Sequence, residues 1–535
     1  MTSVLGELSL VGAVAAPLAG AIASVAGGGD PRRRCRTAAS LGWVSAGLAV
    51  ATATSVALGG PFGATLGGAH SRPLLGLWAD QLTVTLLVLV CGVGAVVQSF
   101  SVRYLQADRG APRFFVATNI VVAAMAVVST SVTAPVLGAA WVAAGIGFVA
   151  VAGARPDLPG VRASARRTLG MFVLGDLALV AALVMIWVRA GNVDLLSAGA
   201  LRGAAGHLGG LSSVVALLIV AAALTRSAQG PLGRWLPGTV SAPTPASALL
   251  HAGVVNGGGI LLVRLGALAG GSALAMVAAF TVAGLTAAAA TAVMTRKPDV
   301  KGTLVFSTMG QMGFMVTECA VGAYLAAVVH LVGHGMYKAT LFFGSGSQVP
   351  RTGQAPAAPA AAMSALARTL ATAATSATTV AVMVAVPGVL AHRGGAVLLI
   401  FTAATTTAAA WSWWGRRPAS ARLTALWAAA MLGAGALYGL VLGGLGRWIG
   451  PALPAAEAGT LSPWWLLGVA GAGLAVAGLI RVPGAQRWLV AALIDAGAPP
   501  VALPMRGDRS RGGGAWSGSP SYIPEVADVW AESAA

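Results

Sequence analysis

Charged side chains are scarce in this sequence: they make up 9% of its 535 residues, while apolar residues make up 57%. A soluble domain carries about 25% charged residues. A fold of this size could not keep its surface wet with so few, so lipid must be its main solvent. Acidic residues number 15 against 33 basic ones, and only Lys297, Lys301 and Lys338 among the latter are lysines. The net charge of +18 does not point to nucleic acid, because the arginines sit in short loops between apolar runs. That is how a bacterial membrane protein fixes its orientation. Cysteine is nearly absent too: Cys35, Cys91 and Cys319 lie far apart and supply neither a disulfide framework nor metal-ligand spacing. No basic segment or clear cleavage site precedes the first apolar run, so 5–27 reads as a retained helix rather than a signal peptide.

What is there is apolar and repetitive. Runs of about 20 apolar residues recur from end to end, each long enough for a hydrocarbon core about 30 Å thick. They lack the alternation of a membrane barrel, so they are expected to be helices, which satisfy their own backbone in lipid. The predicted spans are 5–27, 37–59, 82–104, 114–133, 134–153, 168–190, 211–229, 245–268, 273–295, 301–323, 324–347, 367–390, 394–414, 420–446 and 462–481. The fold class is therefore an all-α polytopic membrane protein of about 14–15 transmembrane helices.

Loop charge gives the orientation. Arg32, Arg33, Arg34 and Arg36 follow the first span, Arg109 and Arg113 the third, and Arg155, Arg162, Arg166 and Arg167 the fifth. Arg296, Lys297 and Lys301 follow the ninth, and Arg416, Arg417 and Arg422 the thirteenth, while alternate loops hold little beyond Arg72 or Arg202. Positive charge inside then places the N-terminus outside a bacterial inner membrane. Two places break helix regularity: Gln229-Gly230-Pro231, after which the chain resumes as 231–240, and Pro387-Gly388 in the twelfth span. Paired interruptions of this kind mark discontinuous helices beside an ion path. The Ala/Pro stretch 353–360 reads as a flexible connection.

Ionisable groups at membrane depth cost about 2.5–3.5 kcal/mol each on insertion scales, so they are functional candidates. Asp176 lies in the sixth span, Arg226 late in the seventh and His251 early in the eighth. Glu318 falls in the last turns of the tenth and is placed at the outer interface. For Arg226 two readings stand, a buried charge or a head that snorkels to the cytoplasmic interface. The eleventh span holds His330, His334 and Lys338 at i, i+4 and i+8, one helix face over about 12 Å. Histidine changes charge near neutral pH and a desolvated ammonium gives up its proton more readily. Such a stripe can pass a proton, or hold charge that responds to one arriving nearby.

These residues carry a resemblance. Gln311-Met312-Gly313-Phe314-Met315, the segment HLVGHGMYKATLFFGSGS from His330, and Ser227-Ala228-Gln229-Gly230-Pro231-Leu232 followed by APTPASALLHA resemble the antiporter-like subunits of respiratory complex I and the Mrp antiporters. Over about 80–350 the resemblance implies two inverted five-helix repeats with discontinuous helices and a central line of charges. QSFSVRYL (98–105), HAGVVNGGGILLVR (251–264) and ECAVGAYLAAVVHLVGHGMYKATLF (318–342) are more similar to the membrane-subunit family of Dab inorganic-carbon accumulation complexes. That branch implies a DabA-type zinc-binding partner on the cytoplasmic face, similar to β-carbonic anhydrases, which traps CO2 as bicarbonate on a cation gradient. The organisation is then 1–104 as N-terminal transmembrane helices, 105–414 as the antiporter-like core, 415–490 as C-terminal transmembrane helices and 491–535 as a polar, flexible tail.

Departures from the complex I pattern shape the expectation. A glutamate normally follows the tryptophan of the fifth helix and pairs with a lysine on the seventh. Here Trp141 is followed by Val142, and Arg226 stands at the lysine position. Arginine holds its proton at any relevant pH. The twelfth span is apolar at Val384-Ala385-Val386-Pro387, where complex I has a lysine. The predicted ion path is therefore Lys338, His334, His330, His251, Arg226 and Asp176, with Asp176 as a counter-charge. No cofactor or metal of its own is expected. The chain is read as a transport subunit and not an enzyme, conducting H+ or Na+ to drive CO2 hydration in the partner. The alternative is a proton-pumping subunit of a complex I, hydrogenase or Mrp assembly.

Overall fold

The computed structural model describes residues 2–26, 30–66, 75–155, 160–297, 299–345, 364–385, 393–415, 421–455, 457, 459–462, 464–468 and 471. All belong to the unit Met1–Pro499. The connection 353–360, the Pro387-Gly388 interruption, most of the fifteenth span and the tail lie outside the described residues.

Helices α1 (Thr2–Val25) and α2 (Pro31–Gly59) form an antiparallel pair. Small residues let their backbones approach. Ser45 Oγ donates to Ala13 O at 2.6 Å, and Ser9 Oγ meets Thr52 Oγ1 at 3.0 Å. Asp30 caps α2 and Pro31 occupies its first turn, where a missing N–H costs nothing. Strands β1 (Phe62–Leu66) and β2 (Leu75–Ala79) then pair antiparallel, with Phe62 opposite Ala79. The sequence predicts only a loop over 60–81, between the second and third spans. Five residues per strand give too short an alternation to stand out beside apolar helices.

Next come α3 (Gln81–Tyr104), α4 (Ala111–Thr130), α5 (Ala134–Ala152) and α6 (Val161–Ala190). Asp80 and Thr83 make a reciprocal capping box on α3. Asn119 of α4 donates to Gln98 of α3 at 3.0 Å, so a buried amide pair ties these two helices. Residues expected in the loop 191–210 instead form α7 (Ala198–Leu208), which leads through a 3-10 turn into α8 (Ser212–Arg226). Ser197 caps α7, and Arg202 pairs with Glu457 at 2.9 Å.

After α8 the helix stops, as Gln229-Gly230-Pro231 predicts, and 3-10 turns cover Gly230–Gly233 and Pro237–Ser241. The eighth span, expected as one helix over 245–268, is broken. It consists of α9 (Thr244–Ala252), a 3-10 turn Val254–Asn256, α10 (Gly257–Arg264) and α11 (Gly266–Ala269). The Gly257-Gly258-Gly259 run is the signal for this break. A Cβ on Gly258 would lie 2.3 Å from Ala223 O, so only glycine lets α10 lie flush on α8.

Helices α12 (Ala273–Met294), α13 (Val300–Ala320), α14 (Tyr324–Gly344), α15 (Ala365–Val384), α16 (Arg393–Gly415) and α17 (Ala421–Ile449) complete the bundle. Among the described residues, eleven helical runs are long and apolar enough to cross a membrane. Helices α13, α14 and α15 have similar length, 21, 21 and 20 residues, but carry more polar side chains. This is the all-α polytopic architecture expected from the sequence.

Candidate ion path

Two buried polar constructions sit inside the bundle. The first is centred on Arg226, at the last turn of α8. Its Nη2 donates to Asp176 Oδ1 of α6 at 2.6 Å and to Trp141 O of α5 at 3.2 Å. The guanidinium lies 4.4 Å from the ring centroids of both Trp141 and Phe172. With the side chain only 2% exposed, Arg226 does not snorkel. A carboxylate from the neighbouring helix α6 thus pairs with Arg226 where the residue after Trp141 is apolar, and Asp176 is ion-paired to Arg226 rather than placed among the α14 groups. Gly145 leaves the pair its space: a Cβ there would meet Arg226 Nη1 and Nη2 at 3.1 Å and Asp176 Oδ2 at 3.3 Å.

The interruption after Arg226 is held by side chains. Ser227 Oγ donates to Val255 O at 3.0 Å, so the two breaks satisfy one another. Gln229 Nε2 donates to Ser227 O at 2.6 Å and to Met309 O at 3.1 Å, and Gly230 N donates to Thr286 Oγ1 at 2.8 Å. Ala228 holds φ at 56°, a left-handed conformation that L side chains disfavour. The surrounding hydrogen bonds impose it.

The second construction joins α13 and α14. Helix α14 presents His330, His334 and Lys338 on one face, as the spacing requires, and α13 answers each in antiparallel register. His330 Nδ1 meets Glu318 Oε2 at 3.1 Å. His334 Nδ1 meets Gln311 Oε1 at 2.8 Å. Lys338 Nζ donates to Ser307 Oγ at 2.7 Å. Lys338 is fully buried and His334 5% exposed. Glu318, expected at the outer interface, is 1% exposed, because His330 and the packed bundle enclose it. The sequence reading missed Ser307 and Gln311 as partners. Their signal is the spacing 307, 311, 318 on a helix that turns back through three residues into α14.

His251, at the end of α9 just before the break, faces this ladder. Its ring stacks on Phe342 of α14 at 4.6 Å and 13°. It lies within electrostatic range of Lys338 and His334. Neither of its ring nitrogens makes a hydrogen bond to the described residues. The structure thus gathers His251, His330, His334 and Lys338 in one place and pairs Asp176 with Arg226 in another.

One buried arginine escaped the sequence reading. Arg264, at the C-terminal end of α10, donates to the carbonyls of Val128 and Ser131, and thereby caps α4. It also lines a cavity of about 360 Å³ with Asp80 and Gln81. Among the described residues no His, Cys, Asp and Glu cluster could hold a metal ion.

A bundle of apolar helices interrupted beside buried, protonatable groups defines an antiporter-like membrane protein. A family model described as "NADH:quinone oxidoreductase/Mrp antiporter, TM" matches residues 136–414, and one for the N-terminus of complex I chain 5 matches residues 70–115. The first covers more than half of the sequence, and the chain belongs to that family. It is 36% identical over 277 residues to a probable inorganic carbon transporter subunit DabB1 of Halothiobacillus neapolitanus, covering 51% of this chain and 50% of the relative. It is 35% identical over 280 residues to a probable inorganic carbon transporter subunit DabB of Bacillus anthracis, covering 52% of this chain and 54% of the relative. The aligned regions thus span about half the length of these curated relatives. The fold is similar to one in the Mrp complex of a Dietzia species, with a TM-score of 0.58 at 23% identity over 92% of this chain and 59% of that one.

Proposed function

We propose that this chain is the cation-conducting membrane subunit of a two-component inorganic carbon transporter. It admits H+ or Na+ down its gradient and couples that flow to CO2 hydration by a DabA-type zinc-binding partner on the cytoplasmic face. The N-terminus lies outside the inner membrane, as the loop arginines require. One observation carries the reading: four protonatable side chains from two helices, the buried His251, His334 and Lys338 and the partly buried His330, are gathered in one place in a chain similar to inorganic carbon transporter subunits.

The residues divide the work. Lys338 and the two α14 histidines are stations along the path, each oriented by its α13 partner. His251 stands at the end of α9, where the broken helix lets a group from the opposite side approach the ladder. Arg226 with Asp176 supplies a charge of fixed position beside the path rather than a switching base. A path with one fixed end suits a device that dissipates a gradient.

Growth tests this. The chain is expressed with and without a zinc-binding partner in a bacterium lacking carbonic anhydrase, and growth in ordinary air is scored. Rescue by the pair alone is expected, with loss of rescue in Lys338→Ala. No rescue in any combination, with the protein present in membranes, would remove the inorganic carbon assignment.

A further inference from the structure

We propose that Glu318 and His330 share one proton and form the terminal relay of the path, at the end of the bundle opposite the arginine-rich loops. The proposal rests on the reading above that α13 and α14 carry a cation path, and it makes the ion H+.

The placement follows from helix direction. Helix α13 begins beside Arg296 and Lys297, and Glu318 lies 18 residues further on, about 27 Å along the axis. Helix α14 starts at that far end, and His330 is its seventh residue. The pair therefore closes the ladder where Lys338 and Ser307 lie deeper. The neutral hydrogen-bonded partners of the other rungs, Gln311 and Ser307, cannot accept a proton from the path. Glu318 can.

Burial dictates the chemistry. A carboxylate 1% exposed is expensive unless paired or protonated. At 3.1 Å from His330 Nδ1 both forms are satisfied by one geometry. In one, a carboxylic acid donates from Oε2 to a neutral imidazole. In the other, the proton has crossed to Nδ1 and an imidazolium donates to a carboxylate. Such a pair titrates as a unit. Glu318 Oε1 makes no hydrogen bond to the described residues, so it is the atom at which a proton can be received or released. Inward, the His334 ring lies 6.1 Å from that of His330, a gap that a ring rotation or one water spans.

Glu318 is the acidic member of the ladder, and the other ionisable groups near the pair are basic or phenolic and thiol side chains. Helix α14 adds His334 and, further along the ladder, Lys338, with His251 from α9; α17 brings Tyr438 within electrostatic range of Glu318, and Cys319 adjoins on α13. Helix α12 has no titratable residue, and Arg264 of α10 is engaged with the end of α4. A metal cation would need several oxygen ligands, whereas the imidazole already takes one carboxylate oxygen.

The full-length chain in lipid nanodiscs, in sodium-free buffer, is followed by infrared and imidazole nuclear magnetic resonance titration, with proton flux measured in liposomes with and without the partner. The protonated-carboxyl band should vanish in Glu318→Gln, and the His330 midpoint should move by about one pH unit or more. Proton flux should fall about a hundredfold, with Glu318→Asp restoring much of it. An unchanged His330 titration in folded Glu318→Gln overturns the pair, whatever the flux. Coupled titration with wild-type flux in Glu318→Gln overturns its place in the relay. Coupled titration with no flux in the wild-type chain, alone or partnered, overturns instead the reading of α13 and α14 as a path.

Discussion

The two polar constructions differ in how many choices they leave a proton. Arg226 is held by a carboxylate, a backbone carbonyl and two aromatic faces, and its own chemistry forbids loss of charge. Each ladder group on α14 is met by one neutral or ionisable side chain of α13, and neither ring nitrogen of His251 makes a hydrogen bond to the described residues. One region is held in place by its partners, and under the proposed function the other redistributes protons with small movements. A line of buried charges is therefore not uniform, and residue type alone does not say which members move.

The largest expected effect breaks the first region. Asp176→Ala leaves a buried guanidinium uncompensated and should cost about 3–5 kcal/mol, seen as a drop in thermal unfolding temperature in detergent. Asp176→Leu with Arg226→Met should recover most of it. If that double variant also keeps wild-type growth rescue, the pair is purely architectural. Gly258→Ala tests the same region through packing, since a Cβ there collides with Ala223 O, and should cost about 1–3 kcal/mol.

The second region should respond the other way. Lys338→Met removes a buried amine at nearly constant volume, so thermal stability should hold or rise while ion flux is lost. A destabilised Lys338→Met with normal flux would reverse the comparison. Gln311→Ala removes only the 2.8 Å hydrogen bond that orients His334. It should cost about 1 kcal/mol, or about fivefold in flux, with little change in unfolding temperature.

Much of the fold was legible because lipid imposes it. Continuous apolar runs, arginine-bearing loops and the i, i+4, i+8 stripe are local patterns, and helices read them out without help from distant residues. The β hairpin and the α7 segment were missed because each is short. The break at Gly253–Asn256 was hidden by its apolar flanks, although the glycine run beside it carried the information.

Sequence by itself determined the solvent of this protein, its helical class, its family and the histidine–lysine face of α14. Only the tertiary structure decided the partners. Asp176 meets Arg226 across 50 residues of chain, and Glu318, Gln311 and Ser307 meet α14 through the register of two antiparallel helices. Periodicity specifies which residues share a face, but the packing of a second helix specifies what that face touches. In a medium that cannot solvate charge, that contact sets whether a buried group stays fixed or can pass its proton on.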